Sequence, residues 1–286
     1  MTTKKRRTSA AAKTKTNMNR SRNHKRTGKR KPKRRIRKSI RIILYIILIL
    51  SLAMMCYSGF KLFSCLHEYS VGKSVYAELR ENKTETKDDS NETVTSVDFA
   101  ALKEINPDIF GWIHLNDSSI DYPFVTADNN EYYLTHAFDG TETPYGTVFI
   151  DARNPDPFHD TLTVLYAHHM KDGAMFADVE NYKDPSYYED HKVIEIILED
   201  GTYDLYPVAG RLYNGDTDYV RFNFSDEEQF NTYISGFTAD STFQSDETAA
   251  YGDQLVMLST CSYDYDNARY VLIGKLVRKD VSGDNE

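Results

Sequence analysis

The most constraining feature of this chain is an uncharged apolar run, IILYIILILSLAMMCYSGF, at residues 42–60. These 19 residues contain no Asp, Glu, Lys or Arg. An α-helix rises about 1.5 Å per residue, so the run is long enough to cross a hydrocarbon core about 30 Å thick. We therefore predict one transmembrane anchor over residues 42–60, and the rest of the chain must fold in water on one side of the membrane or the other.

The charge on the two sides of this run is strongly unequal. Residues 1–41 contain 19 Lys or Arg and no Asp or Glu, whereas residues 42–286 contain 16 basic and 43 acidic residues, a net charge of −27. Basic segments are retained in the cytoplasm. We therefore predict a single-pass protein of the cell membrane, with a cytoplasmic basic tail over residues 1–41 that lies against anionic lipid and an extracellular C-terminal part.

Two other interpretations of the N-terminal segment compete with this one. A basic tail can bind nucleic acid, but the adjacent apolar run favours a role in membrane topology, and we expect no nucleic-acid partner. A cleaved signal peptide also combines basic and apolar residues. The apolar run is longer than a usual signal-peptide core and no Ala-x-Ala-like site follows it, which favours an anchor.

A linker separates the anchor from the folded domain. Apolar residues recur at helical spacing between residues 67 and 82, which predicts a short amphipathic helix. Residues 81–95 have almost no apolar side chain and indicate a flexible spacer. We therefore assign residues 61–97 to a juxtamembrane helix and linker, and residues 98–286 to an extracellular catalytic domain in which Asp98 caps the first helix.

The domain has the pattern of a mainly β fold. Eight short strand-like runs are separated by turn-forming residues over about 170 residues, which is typical of a closed barrel or a sandwich. The predicted strands are residues 110–115, 120–125, 147–151, 162–167, 193–198, 202–209, 254–260 and 270–277. A helix is inserted between the sixth and seventh, where Ser225 and Glu228 form a capping box. We expect this helix to cover an open end of the barrel, and substrate contact is a second possible role.

The cysteine content points to one thiol of interest. Of three cysteines, Cys56 lies in the apolar run and Cys65 lies just beyond it, so Cys261 is the only thiol in the exported domain. A cysteine without a partner does not serve as a disulfide staple. A small buried apolar residue and a reactive nucleophile both remain open for it.

Local geometry brings Cys261 close to a cation. Cys261 follows one predicted strand and Arg269 precedes the next, and only residues 262–268 connect them. A connection this short usually joins neighbouring antiparallel strands. We therefore expect the thiol and the guanidinium to lie at the same rim of the sheet.

The best partner for this pair among the eight histidines is His168, where the predicted strand 162–167 runs out into a loop. A strand end places a side chain at a rim that a substrate can reach. Adjacent residues on a strand face opposite ways, so His169 does not share a metal site with His168. Neither HExxH nor CxxC occurs in the sequence, and we predict no metal site.

Together, Cys261, His168 and Arg269 supply the groups that acyl transfer needs. A thiolate attacks a carbonyl, an imidazolium donates a proton to the leaving amine, and a guanidinium holds the developing oxyanion. The same set serves hydrolysis equally well. Spacing alone does not choose between the two reactions.

Five motifs in order resemble the sortases, membrane-anchored cysteine transpeptidases of Gram-positive bacteria, and most closely class B. The resemblance covers residues 98–277 through the segments INPDIFGWIHL, IDYPFVTADNNEYYLTH, YGTVFIDARN, LYAHHMKDGAMFADV and LSTCSYDYDNAR. It implies an eight-stranded sortase-type β-barrel with N-terminal helices and a helix before the cysteine strand. The family usually has Gly where this chain has Ala167.

The resemblance also implies the roles of individual residues. Cys261 of LSTC becomes the nucleophile, His168 the general acid, and Arg269 the clamp for substrate and oxyanion. Ser259 and Thr260, next to the nucleophile, are candidate substrate-binding residues, although packing within the strand explains them as well.

The implied reaction cleaves a C-terminal sorting motif of secreted proteins after Thr, forms a thioester, and attaches the protein to an amine of a peptidoglycan precursor. The expected motif is of the NPxTN type, and no cofactor is required. A cysteine endopeptidase that releases its product to water and a non-catalytic surface binding domain are the alternatives. A pilin-polymerising sortase is a third, and the lack of a second hydrophobic segment after Val277 argues against it.

Overall fold

In a computed structural model, the described residues are 37–87 and 93–279, and they begin with helix α1 (Lys38–Leu79). The predicted anchor lies within this helix, and its large apolar side chains are exposed. It is the one helix among the described residues that is long and apolar enough to cross a membrane. Most of the predicted basic tail, residues 1–36, lies outside the described residues.

The two predictions for the linker were wrong in detail. The amphipathic helix is not separate but is the C-terminal part of α1, since residues 61–66 contain no Pro or Gly to interrupt it. The stretch assigned to a flexible spacer contains two paired antiparallel strands, β1 (Lys83–Lys87) and β2 (Thr93–Val97). Its middle residues, 88–92, lie outside the described residues. Thr and Val favour strands even where apolar content is low, which explains the hairpin.

Asp98 caps helix α2 (Phe99–Ile105), as predicted, by accepting a hydrogen bond from the Ala101 amide. Helix α1 packs through Gly72, Tyr76 and Leu79, which are buried. A Cβ at Gly72 would lie 2.7 Å from the Tyr145 ring, so the helix approaches this ring closely only because the residue is Gly.

A carboxylate joins the N-terminal elements to the barrel. Asp121 forms salt bridges with Arg80 at 3.2 Å and with Lys83 at 3.0 Å, and it accepts a hydrogen bond from the Trp112 indole at 2.8 Å. Burial opposes its ionisation, but hydrogen bonds from His114, Trp112 and Lys83 lower the pKa of Asp121 to about 2. This ionised group therefore stabilises the contact between helix, hairpin and barrel.

The prediction of an eight-stranded, mainly β barrel is confirmed. The strands form a closed barrel in the order β10-β8-β7-β3-β4-β5-β6-β9. Their bounds are β3 (Ile109–His114), β4 (Asp121–Val125), β5 (Val148–Ile150), β6 (Leu162–Tyr166), β7 (Ile194–Leu198), β8 (Gly201–Asn214), β9 (Gln254–Cys261) and β10 (Ala268–Arg278). A short helix α3 (Pro185–Asp190) lies between β6 and β7. Each predicted strand corresponds to one observed strand.

The inserted helix is α4 (Glu227–Thr238), and it lies before the cysteine strand as expected. Its N-cap is Asp226 and not Ser225, because the Asp226 carboxylate accepts from the Gln229 amide at 2.8 Å and the Gln229 side chain reaches back to the Ser225 amide. The capping box is therefore one residue later than predicted.

Helix α4 does not cover a barrel end. Its apolar face joins a second apolar cluster on the outer side of strands β6, β9 and β10, separate from the core inside the barrel. Cluster members on the strands include Val164, Met257 and Val271, and members on the helix include Phe230 and Phe237. Because side chains alternate along a strand, Ser259 and Cys261 belong to this same outer face.

We expect Asp121→Asn to lower the free energy of unfolding at pH 7, because it removes the buried anion that Arg80 and Lys83 pair with. A depressed carboxyl pKa contributes stability above the unfolded value of about 4, and this contribution disappears as pH falls towards about 2. The variant should therefore show a weaker decline in stability between these pH values. Urea unfolding of the detergent-solubilised full chain at several pH values measures this.

The control is Glu199→Gln, since Glu199 pairs with Lys103 at an exposed site where the side chains are 56% and 46% accessible. Exposed pairs contribute little. Equal loss of stability in both variants would contradict the role assigned to Asp121.

Candidate active site

Strand register brings the three predicted catalytic residues into one row. Strand β6 pairs in parallel with β9, with Tyr166 opposite Ser259, and β9 pairs antiparallel with β10, with Cys261 opposite Arg269. Two residues beyond Tyr166, where β6 has ended, the same register places His168 beside Cys261. The three residues therefore lie on neighbouring strands at one rim of the barrel.

Cys261 and Arg269 form the closer type of antiparallel pair. The Ser262 amide donates to the Ala268 carbonyl at 2.9 Å, so the backbone hydrogen bonds fall on the next pair along. In such a non-hydrogen-bonded pair the side chains approach more closely than in a hydrogen-bonded one. The thiol and the guanidinium are thus held on adjacent strands and the same face.

The guanidinium of Arg269 has no counter-ion among the described residues. Its Nη1 donates to the Ala268 carbonyl at 3.1 Å, and the carboxylates in the described ranges form their salt bridges elsewhere. The side chain is partly exposed. A cation without a carboxylate partner is available to a carbonyl or an oxyanion of a bound molecule.

His168 is oriented by the backbone of a distant segment. Its Nε2 lies 2.7 Å from the Leu134 carbonyl oxygen. A carbonyl only accepts, so Nε2 carries a proton and donates. Within residues 37–87 and 93–279 the Cys261 thiol makes no hydrogen bond, and Cys261 is partly exposed. The thiol and the imidazole therefore share the rim without bonding to each other.

Ser259 and Thr260 are separated by the pleat of β9. Ser259 lies on the Cys261 face, buried, with its hydroxyl 2.9 Å from the Tyr219 hydroxyl. Thr260 points the opposite way, is also buried, and donates to the Ala167 carbonyl at 2.9 Å. The structure thus brings Ser259 together with the three catalytic candidates and does not bring Thr260.

Tyrosines of distant segments complete the outer face next to Cys261, and sequence reasoning missed them. Tyr219 lies in the connection between β8 and α4, and burial raises the pKa of its hydroxyl. Tyr166, two residues before His168, donates to the buried Asp151 carboxylate at 3.0 Å. The position of Tyr166 beside His168 was visible in the sequence, whereas nothing local marks Tyr219.

His169 points to a different set of groups. Its Nδ1 lies 2.7 Å from a Glu180 carboxylate oxygen and 3.2 Å from the Cys261 carbonyl oxygen. No group of three or more His, Cys, Asp or Glu side chains in the described part of the chain is arranged to hold a metal ion. The arrangement can therefore deliver a thiol, an imidazole and a cation to one acyl carbon.

Comparisons with known proteins agree on one family. Sortase B of Listeria monocytogenes is 30% identical over 238 residues, which cover 81% of this chain and 95% of that protein. No protein-family model matches the chain.

Solved structures are similar in the same way. Sortase B from Bacillus anthracis in complex with AAEK1 has a TM-score of 0.65 and 31% identity, and the match covers 75% of this chain and all of the other. Staphylococcus aureus sortase B has been solved with a substrate and with triglycine, each at a TM-score of 0.60 and 31% identity. Those matches cover 64% of this chain and 85% and 86% of the other chains. The expected sortase-type barrel is confirmed.

We expect Arg269→Gln to change the selectivity of Cys261 towards alkylating reagents. A fixed cation beside the thiol attracts anionic iodoacetate but not neutral iodoacetamide. The ratio of the two rates at Cys261, followed by mass spectrometry of its peptide in the full chain, should fall about two- to fivefold at low salt.

The matched control is Arg211→Gln, because the Arg211 guanidinium is paired with Asp240 at 3.0 Å. This variant should keep the wild-type ratio. An unchanged ratio in Arg269→Gln would mean that the guanidinium does not lie near the thiol.

Proposed function

The chain belongs to the sortase B family of cysteine transpeptidases, and on this basis we propose that it cleaves a C-terminal sorting motif of secreted proteins and attaches them to an amine of the cell wall. The observation that carries the proposal is the row formed by His168, Cys261 and Arg269 on three neighbouring strands. Each of these residues has one role in the acyl transfer.

Cys261 is the nucleophile. Its thiolate attacks the carbonyl carbon of the Thr in the sorting motif and forms a tetrahedral intermediate. The carbon–nitrogen bond then breaks, His168 gives a proton to the leaving amine, and a thioester remains on Cys261. An amine of the acceptor attacks the thioester, loses a proton to His168, and releases the thiolate. The enzyme returns to its starting state with a new amide bond formed.

Arg269 stabilises the oxyanion. In many acyl-transfer enzymes the amide that follows the nucleophile donates to the oxyanion. Here the Ser262 amide already donates to the Ala268 carbonyl at 2.9 Å. The guanidinium opposite Cys261 is the donor group that remains, and its fork offers more than one N–H to the developing charge.

The sorting peptide lies on the outer face of β6 and β9, beside the connection that leads into α4. Ser259 and Tyr219 present hydroxyls there, and Tyr166 adds an aromatic surface held by Asp151. We assign substrate contact to Ser259. The hydroxyl of Thr260 is used by the Ala167 carbonyl, so Thr260 supports the strand from its other side.

The acceptor is an amine of a peptidoglycan precursor. Staphylococcus aureus sortase B has been solved with a substrate and with triglycine, a small peptide amine, which supports this class of partner. The long apolar helix α1 fits a membrane anchor. With the basic tail of residues 1–41 in the cytoplasm, the domain from residue 98 onward is extracellular and meets both substrates there.

The proposal predicts ligation as well as cleavage. The detergent-solubilised full chain, given a small library of sorting-signal peptides that includes an NPxTN motif, should join the N-terminal fragment to triglycine. Cys261→Ala should abolish the product, because no other group forms the thioester. Hydrolysis without ligation in the presence of triglycine would instead indicate an endopeptidase, and activity of Cys261→Ala would exclude a thioester. Ligation only between copies of a pilin-like substrate would indicate the polymerising class.

We expect Arg269→Lys to lower turnover more than about tenfold, equivalent to about 1.4 kcal/mol of transition-state stabilisation. Lysine keeps the positive charge but loses the planar fork. Steady-state kinetics with the same peptide and triglycine measure the effect, and Arg211→Lys serves as the matched control. Near-normal kinetics for Arg269→Lys would remove Arg269 from the mechanism.

A further inference from the structure

A polar cluster lies at the end of β9 and is not used by the mechanism above. It consists of His169 and Glu180, which reach the chain on both sides of the peptide bond between Cys261 and Ser262. Glu180 belongs to a 3-10 helix at Ala177–Lys183, in the connection between β6 and β7. We refer to His169, Glu180 and Ser262 as the Glu180 cluster.

The peptide after the nucleophile needs a partner outside the sheet. Because Cys261 and Arg269 form a non-hydrogen-bonded pair, the Cys261 carbonyl points away from β10 and towards the side of β6. Strand β6 ends at Tyr166 and does not extend far enough to provide the next backbone donor. The carbonyl next to the reactive thiol would have no donor from the neighbouring strand.

His169 supplies that donor. Its Nδ1 lies 3.2 Å from the Cys261 carbonyl oxygen and 2.7 Å from Glu180 Oε2. Both of these oxygens only accept, so Nδ1 carries a proton shared between them. Glu180 therefore decides which ring nitrogen is protonated and which way the ring faces. Tyr263 packs edge-on against the same ring, with 4.9 Å between the centroids, and limits its rotation.

Glu180 also holds the residue that follows Cys261. Its other oxygen, Oε1, accepts from the Ser262 hydroxyl at 2.6 Å and forms a salt bridge with Lys183. Ser262 is 6% exposed and the Glu180 side chain is 16% exposed. One carboxylate is thus connected, through His169 and directly, to both sides of the Cys261–Ser262 peptide.

We propose that Glu180 is a positioning residue for the acyl transfer, which acts through His169 and Ser262 to fix the backbone that carries the Cys261 thiol. This inference rests on the function proposed above. Glu180 contacts neither the thiol nor the face on which the sorting peptide lies. Its loss should therefore reduce the rate of thioester formation more than the binding of the peptide, since a small displacement of a nucleophile is costly in rate.

The alternative is that the cluster only stabilises the loop between β9 and β10. Asp264 in that loop distinguishes the two roles, because it pairs with Lys183 and Ser262 but contacts neither His169 nor the Cys261 carbonyl. A loop-stabilising role predicts that Asp264→Asn and Glu180→Gln have the same effect. A positioning role predicts that only Glu180→Gln slows the reaction strongly.

The experiment compares Glu180→Gln with Asp264→Asn and with Glu189→Gln, a matched substitution at an exposed salt bridge to Lys192. The full chain in detergent is assayed with the NPxTN peptide and triglycine for kcat and KM, and each variant is checked by thermal unfolding. Glu180→Gln should lower kcat about tenfold with KM within about twofold of wild type. The other two variants should keep kcat within about twofold.

A double-mutant cycle tests the coupling of the two side chains. His169→Ala should also lower kcat, and the double variant His169→Ala with Glu180→Gln should be no slower than the more impaired single variant. Wild-type kcat in Glu180→Gln, an equal loss in Asp264→Asn, or additive losses in the double variant would each overturn the proposal. Failure of the wild-type chain to ligate any peptide would count against the proposed function instead.

The rate of Cys261 alkylation by iodoacetamide provides a readout that needs no peptide. If Glu180 positions the thiol, this rate should change at least about threefold in Glu180→Gln and stay at the wild-type value in Glu189→Gln. An unchanged rate in Glu180→Gln would contradict the positioning role, whether or not the sorting motif has been identified correctly.

Discussion

The site depends on the register of one strand between its two neighbours. Strand β9 pairs in parallel with β6 and antiparallel with β10, so its last residue, Cys261, lies beside Arg269 and next to the extension of β6 that carries His168. A slip of one residue would turn Cys261 towards the barrel interior and Thr260 towards the outer face. The two apolar clusters on opposite sides of β9 oppose such a slip, because each accepts alternate side chains of this strand.

Charge at this rim is arranged so that one cation stays available. Lys183 is occupied by Glu180 and Asp264, and Arg153 is occupied by the buried Asp151, while Arg269 has no acidic partner within the described ranges. Pairing most cations leaves the protein with a local positive group where a reaction develops negative charge. The same economy places Glu180 near the nucleophile without neutralising the guanidinium across the strand.

Much of the fold and part of the site could be predicted from the sequence. The eight strands were predictable because turn residues bound each apolar run, and Cys261 and Arg269 were linked by a connection too short to separate them. Tyr219 and Glu180 were not predictable, because each reaches the site from a distant connection with no local signal. The β1–β2 hairpin was missed because low apolar content was read as flexibility, although its β-branched residues favour strands.

The central claim is that Cys261 carries the acyl group between the two substrates. The most direct measurement is intact-mass and peptide mass spectrometry of the full chain, acid-quenched soon after mixing with the NPxTN peptide in the absence of an amine. The account predicts an adduct with the mass of the peptide fragment ending in Thr, located on Cys261 and lost when triglycine is added. An adduct on another residue, or ligation that proceeds with no adduct on Cys261 at any time, would contradict it.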